Sequence, residues 1–263
     1  HHDDRRDPRR TDEHREVIVS YGETALVRGL GFLAEKQAAI ANNLANVDTT
    51  SFKRRASLAQ PSGEAFHSLL AERMTAIRYD EVSDMQRGVL RETGNRFDVA
   101  IDGPYWLRVQ NPDGGVFYTR NGQLQVGADG RLATRDGLTV LDQNDQPISL
   151  GAGEDLPSDV TFSPNGTIAD PTTGRTWGPL ALVELPNQGA LVPIGRGLFA
   201  DPSNQVGRQA ADGVQQGYLE GSNVDSLQEL VQMIAVERSF AATQKALTGL
   251  NRLQENLIAN ILR

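Results

Sequence analysis

The chain has 263 residues, with 34 acidic and 26 basic side chains, a formal net charge of -8 and no cysteine. A chain of this length forms one large or two modest domains. The acidic balance argues against nucleic-acid binding, and without cysteine neither disulfides nor thiolate chemistry are available. Apolar runs fall short of the roughly 18 residues that a membrane-spanning helix needs. The sequence therefore predicts no membrane insertion, and because the N-terminus lacks an apolar signal segment, we expect any export to proceed without a cleaved signal peptide.

The N-terminal region begins with a charged segment, HHDDRRDPRRTDEHRE, which predicts a disordered tail over residues 1–16. In residues 17–60, apolar side chains recur at alternating steps of four and three, with one polar member: Leu26, Leu30, Leu33, Gln37, Ile40, Leu44 and Val47. This heptad seam predicts a long amphipathic helix followed by an extended segment. Pro61 and Gly63 open a segment, residues 61–89, for which we predict a linker.

Residues 90–206 alternate short apolar runs with turn sequences. The runs include FDVAI, YWLRV and LALVEL, and the turns include NPDGG, GADG and SPNG. Asp-Gly and Asn-Gly pairs favour the positive φ of tight hairpin turns. The pattern predicts an all-β domain of hairpins, a small sandwich or open barrel, and excludes a doubly wound α/β fold because no helical crossovers separate the strands.

Residues 207–263 predict a second long helix that begins near Ser222 or Asn223 and runs almost to the C-terminus. Its predicted seam comprises Leu227, Val231, Ile234, Arg238, Ala242, Ala246, Leu250, Leu253, Leu257 and Ile261. The predicted fold class is therefore α+β, mainly β: a central hairpin-rich domain flanked by two terminal amphipathic helices that pair in a coiled-coil-like bundle.

The search for a catalytic site finds no candidate. His1, His2 and His14 lie in the charged tail, and His67 has no neighbour at ligand or nucleophile spacing. GLGFLA at residues 29–34 matches a dinucleotide-binding fingerprint, but no strand precedes it and the heptad seam continues through it. We therefore predict no enzymatic activity, no metal site and no cofactor.

Two further groups of residues allow functional interpretations. Asp98 and Asp102 could form a carboxylate pair, but acids are common in β turns. The aromatic residues of the β domain could stack on sugars or pack in a core, and the core is favoured: Tyr105, Trp106, Phe117 and Tyr118. The alternative function that follows is a carbohydrate-binding β domain, specific for peptidoglycan, with the helices as a clasp.

Two long apolar seams at opposite ends can pair with each other, with the β domain or with the same segments of neighbouring subunits. A long helix with more apolar face than one chain can cover favours the third option, which is self-assembly. Repeated head-to-tail contacts of this kind generate filaments. Asn42, Asn43 and Asn46 lie off the N-terminal seam, so we expect them to face water in an isolated chain and to fix the register between subunits after assembly. For Asn46, a simple role in ending the helix is an equal alternative.

Both ends resemble one family. ANNLANVDTTSFK at residues 41–53 resembles the N-terminal signature of the bacterial flagellar rod and hook axial proteins, and GYLEGSNVDSLQELVQMIAVERSF at residues 217–240 resembles their C-terminal signature. The strands from GVLRETGNRFDVAIDGPYWLRVQ to VFYTRNGQLQVGADGRLAT are similar to the family's β domain, so that the resemblance spans about residues 22–263. The chain departs from the family pattern at Ser51, usually glycine, and at Glu237, usually glutamine.

The resemblance implies a non-enzymatic structural subunit of the flagellar basal-body rod, in the periplasmic space, that transmits torque as part of the drive shaft. The single short β domain favours a rod protein over the larger hook protein. RGLFA at residues 196–200 and LEGSNV at residues 219–224 favour a proximal over a distal rod member. Implied partners are copies of the chain, other rod and hook-family proteins, the flagellar type III export apparatus and the surrounding basal-body rings. The predicted assembly interface comprises Leu26, Leu30, Leu33, Ile40, Asn42, Asn43, Leu44, Asn46, Phe52, Leu219, Asn223, Leu227, Leu230, Val231, Ile234, Arg238, Leu250, Leu253 and Leu257.

Overall fold

A computed structural model describes residues 8–61, 77–151, 153, 156–157 and 159–261. The chain divides into two compact units. The first, which we call the helical unit, comprises His1–Leu44, Arg55–Val82 and Ser226–Arg263. The second, which we call the β unit, comprises Ala45–Arg54 and Ser83–Asp225. The predicted architecture, mainly β with a long helix toward each end, is confirmed.

The helical unit contains helix α1 (Pro8–Ala45), helix α2 (Ser226–Ile261) and a two-stranded sheet of β1 (Arg55–Pro61) and β2 (Ile77–Ser83). Residues 8–16 are helical, although the sequence predicted a disordered tail there. Opposite charges spaced three and four residues apart in this segment support a helix, and proline suits the first helical position. Of the predicted linker, residues 62–76 lie outside the described part of the chain.

The C-terminal end of α1 and the N-terminal end of α2 lie on either side of the β unit in the sequence. After α1 ends at Ala45, the backbone N–H of Thr49 donates to the Asn46 carbonyl at 3.1 Å, and the Thr49 hydroxyl lies 3.1 Å from Asn46 Oδ1. Helix α2 begins at Ser226 rather than next to Ser222 or Asn223. The Asn223 side chain does not cap the helix, because it bonds to backbone groups of the β unit instead.

The β unit is built from antiparallel pairs. Its largest sheet has nine strands among the described residues, in the order β14-β15-β6-β5-β9-β8-β7, with β13 pairing to both β5 and β16. These strands are β5 (Tyr105–Gln110), β6 (Val116–Thr119), β7 (Leu124–Val126), β8 (Leu132–Thr134), β9 (Thr139–Val140), β13 (Leu182–Glu184), β14 (Val192–Gly195), β15 (Leu198–Ala200) and β16 (Arg208–Gln209).

Smaller sheets complete the β unit, in the orders β10-β11-β12, β17-β4 and β18-β3. Their strands are β3 (Leu90–Glu92), β4 (Val99–Ile101), β10 (Thr161–Phe162), β11 (Ile168–Ala169), β12 (Thr176–Trp177), β17 (Val214–Gln216) and β18 (Tyr218–Glu220). Both β17 and β18 follow the long middle of the chain and pair with strands that precede it. The two ends of the β unit are therefore held together by hydrogen bonds between distant segments.

The core of the β unit consists of inward-facing aliphatic side chains from these short strands. Ile101, Leu107, Val109, Leu132 and Ile168 are among its fully buried members. A second cluster surrounds Trp106, whose ring meets that of Phe199 edge to face at a centroid distance of 5.0 Å. The β unit therefore has a hydrophobic core of its own, made of these two clusters.

Candidate functional site

Helix α2 presents two apolar stripes on different faces. One stripe is exposed: Leu227 is 71% exposed, Leu230 50%, Val231 61% and Ile234 51%. The other, which we call the inner stripe, follows heptad spacing after the buried Glu229, and its apolar members are buried or half-buried: Met233, Val236, Phe240, Leu247 and Leu250. The predicted seam thus begins on the exposed face, and the buried face is a second periodic pattern that the sequence reading did not separate from the first.

Helix α1 has a buried face that coincides with its predicted seam. Ile40 is 3% exposed, and Leu26, Leu30, Leu33 and Leu44 are half-buried. The opposite face of α1 is exposed and contains mostly small residues. The α1 seam is therefore largely covered within the single chain.

Asn43 joins three segments of the helical unit. Its side-chain Nδ2 donates to the backbone carbonyl of Arg55 at 2.8 Å and to Glu229 Oε2 at 3.1 Å, while its Oδ1 accepts from the Arg55 N–H at 2.8 Å. Asn43 and Glu229 are both 0% exposed. The expectation that Asn43 faces water in an isolated chain is wrong, because β1 and the first turn of α2 bind its amide. Asn42 is exposed, as expected.

A cluster of buried charges lies inside the β unit. Lys53 Nζ and Arg120 Nε both lie 2.7 Å from the Glu220 carboxylate, one on each oxygen. None of the three side chains is more than 3% exposed. We call these three residues the buried charge cluster. They come from the segment after α1, from the β domain and from the strand before α2, so the cluster fastens three distant segments to one another.

Backbone groups add further hydrogen bonds to the cluster. Lys53 Nζ donates to the Gln86 carbonyl at 2.7 Å, and the N–H of Gly88 donates to Glu220 Oε1 at 3.0 Å. The Arg120 guanidinium donates to three backbone carbonyls, those of Ile101, Gly103 and Tyr105. Buried charges are tolerated only when they are paired and hydrogen-bonded in this way.

The cluster shifts the pKa of two of its members downward, for different reasons. Burial alone would raise the pKa of Glu220, but the attraction of Arg120 and Lys53 and the hydrogen bonds from Lys53 and Gly88 hold it below its ordinary value. Burial lowers the pKa of Lys53, and Glu220 only partly opposes this. Two cations attract Glu220, whereas for Lys53 the attraction of Glu220 and Asp84 does not outweigh burial and the repulsion from Arg120.

Ser51 occupies a backbone conformation that favours glycine, with φ of 56°. Its N–H donates to the Glu220 carbonyl at 2.8 Å, and its buried hydroxyl donates to the Arg120 carbonyl at 2.7 Å. The positive φ of Ser51 costs backbone strain that glycine would not have, and the buried hydrogen bond from its hydroxyl offsets part of this cost.

Asn223 connects the same region to neighbouring backbone. Its Oδ1 accepts from the Arg54 N–H at 2.7 Å, and its Nδ2 donates to the carbonyls of Asp84 and Gln86 at 2.9 and 3.0 Å. Close by, a Cβ added to Gly88 would lie 2.0 Å from the Gly221 carbonyl oxygen, so only glycine allows these two segments to approach. Phe52 and Leu219, both predicted interface residues, are buried within the β unit.

The remaining predicted interface residues have different surroundings. Leu253 and Arg238 are exposed on α2, Leu250 lies on its inner stripe, and Asn46 is half-buried just after α1. The side chain of Leu257 lies outside the described residues. Sequence reasoning missed Lys53, Arg120, Glu220 and Glu229 because nothing local marks a charged residue as buried; their spacing is set by pairing between distant strands.

The alternative sites do not form. Trp106, the largest of the proposed sugar-stacking aromatics, is fully buried. Gly29 and Ala34 lie in the middle of α1, where no strand leads into a phosphate-binding turn. The described residues contain no group of three or more acidic or histidine side chains placed to hold a metal ion. Within the described chain, no helix has both the length and the apolar character to span a membrane.

Three family models match the chain. Residues 25–53 match the model "Flagella basal body rod protein", residues 100–169 match "Flagellar hook protein FlgE/F/G D1 domain", and residues 215–260 match "Flagellar basal body rod FlgEFG protein C-terminal". Each matched segment contributes one residue to the buried charge cluster: Lys53, Arg120 and Glu220, respectively. The cluster thus links the three segments of this chain that match the family models.

Curated relatives match over most of their length. The chain is 30% identical over 251 residues to the flagellar basal-body rod protein FlgG of Agrobacterium fabrum, covering 84% of this chain and 92% of that protein. It is 33% identical over 237 residues to the rod protein FlgF of Salmonella typhimurium, covering 82% and 88%. Identity to the FlgG of Bacillus subtilis is 27% over 267 residues, covering 88% and 96%. These relatives do not favour the carbohydrate-binding alternative. The chain belongs to the flagellar basal-body rod protein family.

Proposed function

We propose that the chain is a structural subunit of the bacterial flagellar basal-body rod, and that it assembles through its terminal helices into the drive shaft that transmits torque. The observation that supports assembly is the exposed stripe of α2, formed by Leu227, Leu230, Val231 and Ile234. Four adjacent large apolar side chains, each at least half exposed, are unusual on a chain that works alone.

The energy available from covering the exposed stripe is substantial. Full burial of a leucine, valine or isoleucine side chain is worth about 1.5–3 kcal/mol, so completing the burial of a half-exposed one gains about 1 kcal/mol. A filament repeats this contact for every subunit. The stripe can therefore contribute several kcal/mol per subunit to assembly, before the cost of ordering the helices is subtracted.

The two helices have different parts in this proposal. The α1 seam and the inner stripe of α2 serve pairing within one chain, in a coiled-coil-like arrangement that the hydrogen bond from Asn43 to Glu229 supports at one end. The exposed stripe, with Arg238 and Leu253 further along α2, serves contact between subunits. The predicted interface residues Phe52 and Leu219 are buried within the β unit, where they position its ends.

The location and partners follow from the same proposal. Membership of the rod family supports a place in the flagellar basal body and association with other rod and hook components. We propose further that the rod lies in the periplasmic space, that the type III apparatus exports the subunit, and that the basal-body rings surround it. Relatives named FlgG and FlgF match about equally well, so the proximal position stays a prediction.

The test compares charged substitutions on α2. We expect Leu230→Asp and Ile234→Asp to abolish motility and incorporation into isolated basal bodies, because each places a carboxylate in the interface. The matched control is Gln244→Asp, which adds the same charge at an exposed polar position of the same helix. Purified full-length variants should keep the thermal unfolding transition of the β unit. A fully motile strain with Ile234→Asp would contradict the proposal.

A further inference from the structure

We propose that the exposed stripe of α2 packs on the exposed face of α1 in a second copy of this chain, in antiparallel orientation, with Arg238 of one copy beside Glu35 of the other. This inference depends on the proposed function, since it identifies which surface of the neighbouring subunit covers the stripe. The partner that covers the stripe is a second copy of this chain.

The exposed face of α1 is shaped to accept large side chains. Its residues recur at steps of four and three, and all are exposed: Val27, Gly31, Ala34, Ala38, Ala41 and Ala45. A Cβ added at Gly31 would meet no atom within 4 Å, so this face is open in the isolated chain. We call it the alanine face. Helices approach more closely where the contact residues are small, because interaxial distance follows side-chain size.

The exposed stripe of α2 complements the alanine face in size and in spacing. Val231 and Ile234 lie three residues apart, as do Ala38 and Ala41. In an antiparallel pair, Ile234 can sit opposite Ala38 while Val231 sits opposite Ala41. Each large side chain then meets an alanine, which is the arrangement that fills an interface without overpacking.

The antiparallel orientation follows from the polarity of the chain. Asn43 lies near the end of α1, and Glu229, to which it bonds, lies in the first turn of α2. Helices that pair along each other from this junction run in opposite directions. Copies in a filament repeat with one polarity, so α1 of one copy and α2 of the next are also antiparallel.

Charge distinguishes the alanine face from other surfaces that could cover the stripe. Between residues 24 and 49, the exposed charged side chains of α1 and the turn after it are Glu35 and Asp48, both acidic. The line of the α2 stripe continues through exposed basic residues seven positions apart: Arg238, Lys245 and Arg252. With Ile234 opposite Ala38, Arg238 lies one turn further on, opposite Ala34 and one residue from Glu35. A second α2 in this place would instead bring basic residues together.

The absence of cysteine from the chain allows an unambiguous crosslinking test. Full-length Ala38→Cys protein is mixed with full-length Ile234→Cys protein, assembled and mildly oxidised. We expect a disulfide-linked dimer in the mixture and none with either variant alone. The matched control replaces Ile234→Cys by Thr248→Cys, which is exposed on the same side of α2 but about 21 Å further along. Equal crosslinking with Thr248→Cys, or none with Ile234→Cys, would overturn the proposed register.

Charge reversal tests the pair of Glu35 and Arg238. Both side chains are exposed, so we expect Glu35→Arg and Arg238→Glu each to leave folding intact and to raise the concentration needed for assembly about fivefold. The chain with both substitutions should recover, because it restores the opposite charges. Additive losses in the double variant would contradict the pairing.

A bulky substitution separates this inference from the proposed function. Ala38→Trp adds volume to an exposed position, so we expect the isolated chain to fold normally and assembly to fail. If Ile234→Asp blocks assembly but Ala38→Trp does not, and the cysteine pair does not crosslink, this inference is wrong and the rod function stands. If neither variant affects assembly, the assembly role of the helices is wrong as well.

Discussion

Glu220 pairs with two cations at once, with Lys53 on one carboxylate oxygen and Arg120 on the other, and all three side chains are buried. A buried ion pair stabilises a protein little compared with well-packed apolar residues, but removal of one partner leaves an uncompensated charge. We therefore expect the cluster to act mainly by specifying which segments meet. It fastens the residues that follow α1 and the strand that precedes α2 to the same part of the β unit.

Replacement of this carboxylate should be costly. We expect Glu220→Gln to lower the free energy of unfolding of the β unit by about 3–5 kcal/mol, because Lys53 and Arg120 remain buried without a counter-charge. Glu184→Gln is the matched control: Glu184 pairs with Arg208 at 2.9 Å at the surface, where a pair contributes no more than about 1 kcal/mol. Urea unfolding measures both. If both variants lost the same free energy of unfolding, the charge of Glu220 would not be needed to compensate the buried Lys53 and Arg120.

The same residue should make stability depend on pH. The pKa of Glu220 is lower in the folded chain than in the unfolded one, so its contribution is present above about pH 4.3 and disappears as pH falls through the lower folded pKa. Lys53 also has a lowered pKa when folded, because burial penalises its charged form. The free energy of unfolding therefore rises with pH between the folded pKa of Lys53 and its unfolded pKa of about 10.4. We expect the acid loss of stability to be shallower in Glu220→Gln than in the unsubstituted chain, as measured by urea unfolding across the acid range.

Helix α2 shows how one element can serve two contacts. Its 36 residues extend about 54 Å, and its inner and exposed stripes lie on different faces. Where two apolar patterns overlap on one helix, periodicity alone cannot tell which of them the chain covers and which it leaves for a neighbour. Burial settles the question here, since Val236 is 3% exposed and Val231 is 61% exposed.

The amides at the end of α1 give a sharp comparison between neighbouring positions. We expect Asn43→Asp to destabilise the helical unit by about 2–3 kcal/mol, because aspartate cannot donate to the Arg55 carbonyl and places a second carboxylate next to Glu229. Asn42→Asp adds the same charge at the adjacent exposed position and should destabilise the helical unit less than Asn43→Asp, because a carboxylate there remains hydrated.

Far-UV circular dichroism during urea unfolding distinguishes the two aspartate variants. Its signal comes largely from the helical unit, which contains both long helices. Equal effects of the two substitutions would mean that the hydrogen bonds of Asn43 do not stabilise the end of α1.

At the scale of the whole molecule, the two units differ in how much of their surface one chain can cover. The β unit has a core of fully buried residues, including Leu107, Val109 and Leu132. The helical unit leaves large apolar side chains of α2 half or more exposed. Local stability follows burial, so the helices of a single chain should open more easily than the β strands.

Amide hydrogen exchange on dilute, monomeric protein tests this difference. We expect residues 22–50 and 224–263 to exchange faster than residues 90–205 in the monomer, and to become protected after assembly because neighbouring subunits cover the exposed stripe. Protection of the helices equal to that of the β unit before assembly would identify a self-sufficient monomer, and would argue against a role for the helices in polymerisation.

The sequence by itself determined the kinds of element, their order and the family. The heptad seam of α1, the turn signals of the hairpins and the two terminal signatures are local patterns, and a local pattern is sufficient for each of these conclusions. The sequence also predicted a tail at residues 8–16 where the structure has helix, because alternating charges resemble disorder as much as they resemble a solvated helix.

Only the tertiary structure decided which polar residues are buried and which apolar residues remain exposed. Lys53, Arg120 and Glu220 are separated by long stretches of chain, and they meet because β18 pairs with β3 and the turn after α1 bonds to Glu220. Asn43 is buried for the same kind of reason, through a contact with a residue 186 positions away. Burial depends on contacts between distant segments, and no periodicity within a segment encodes them.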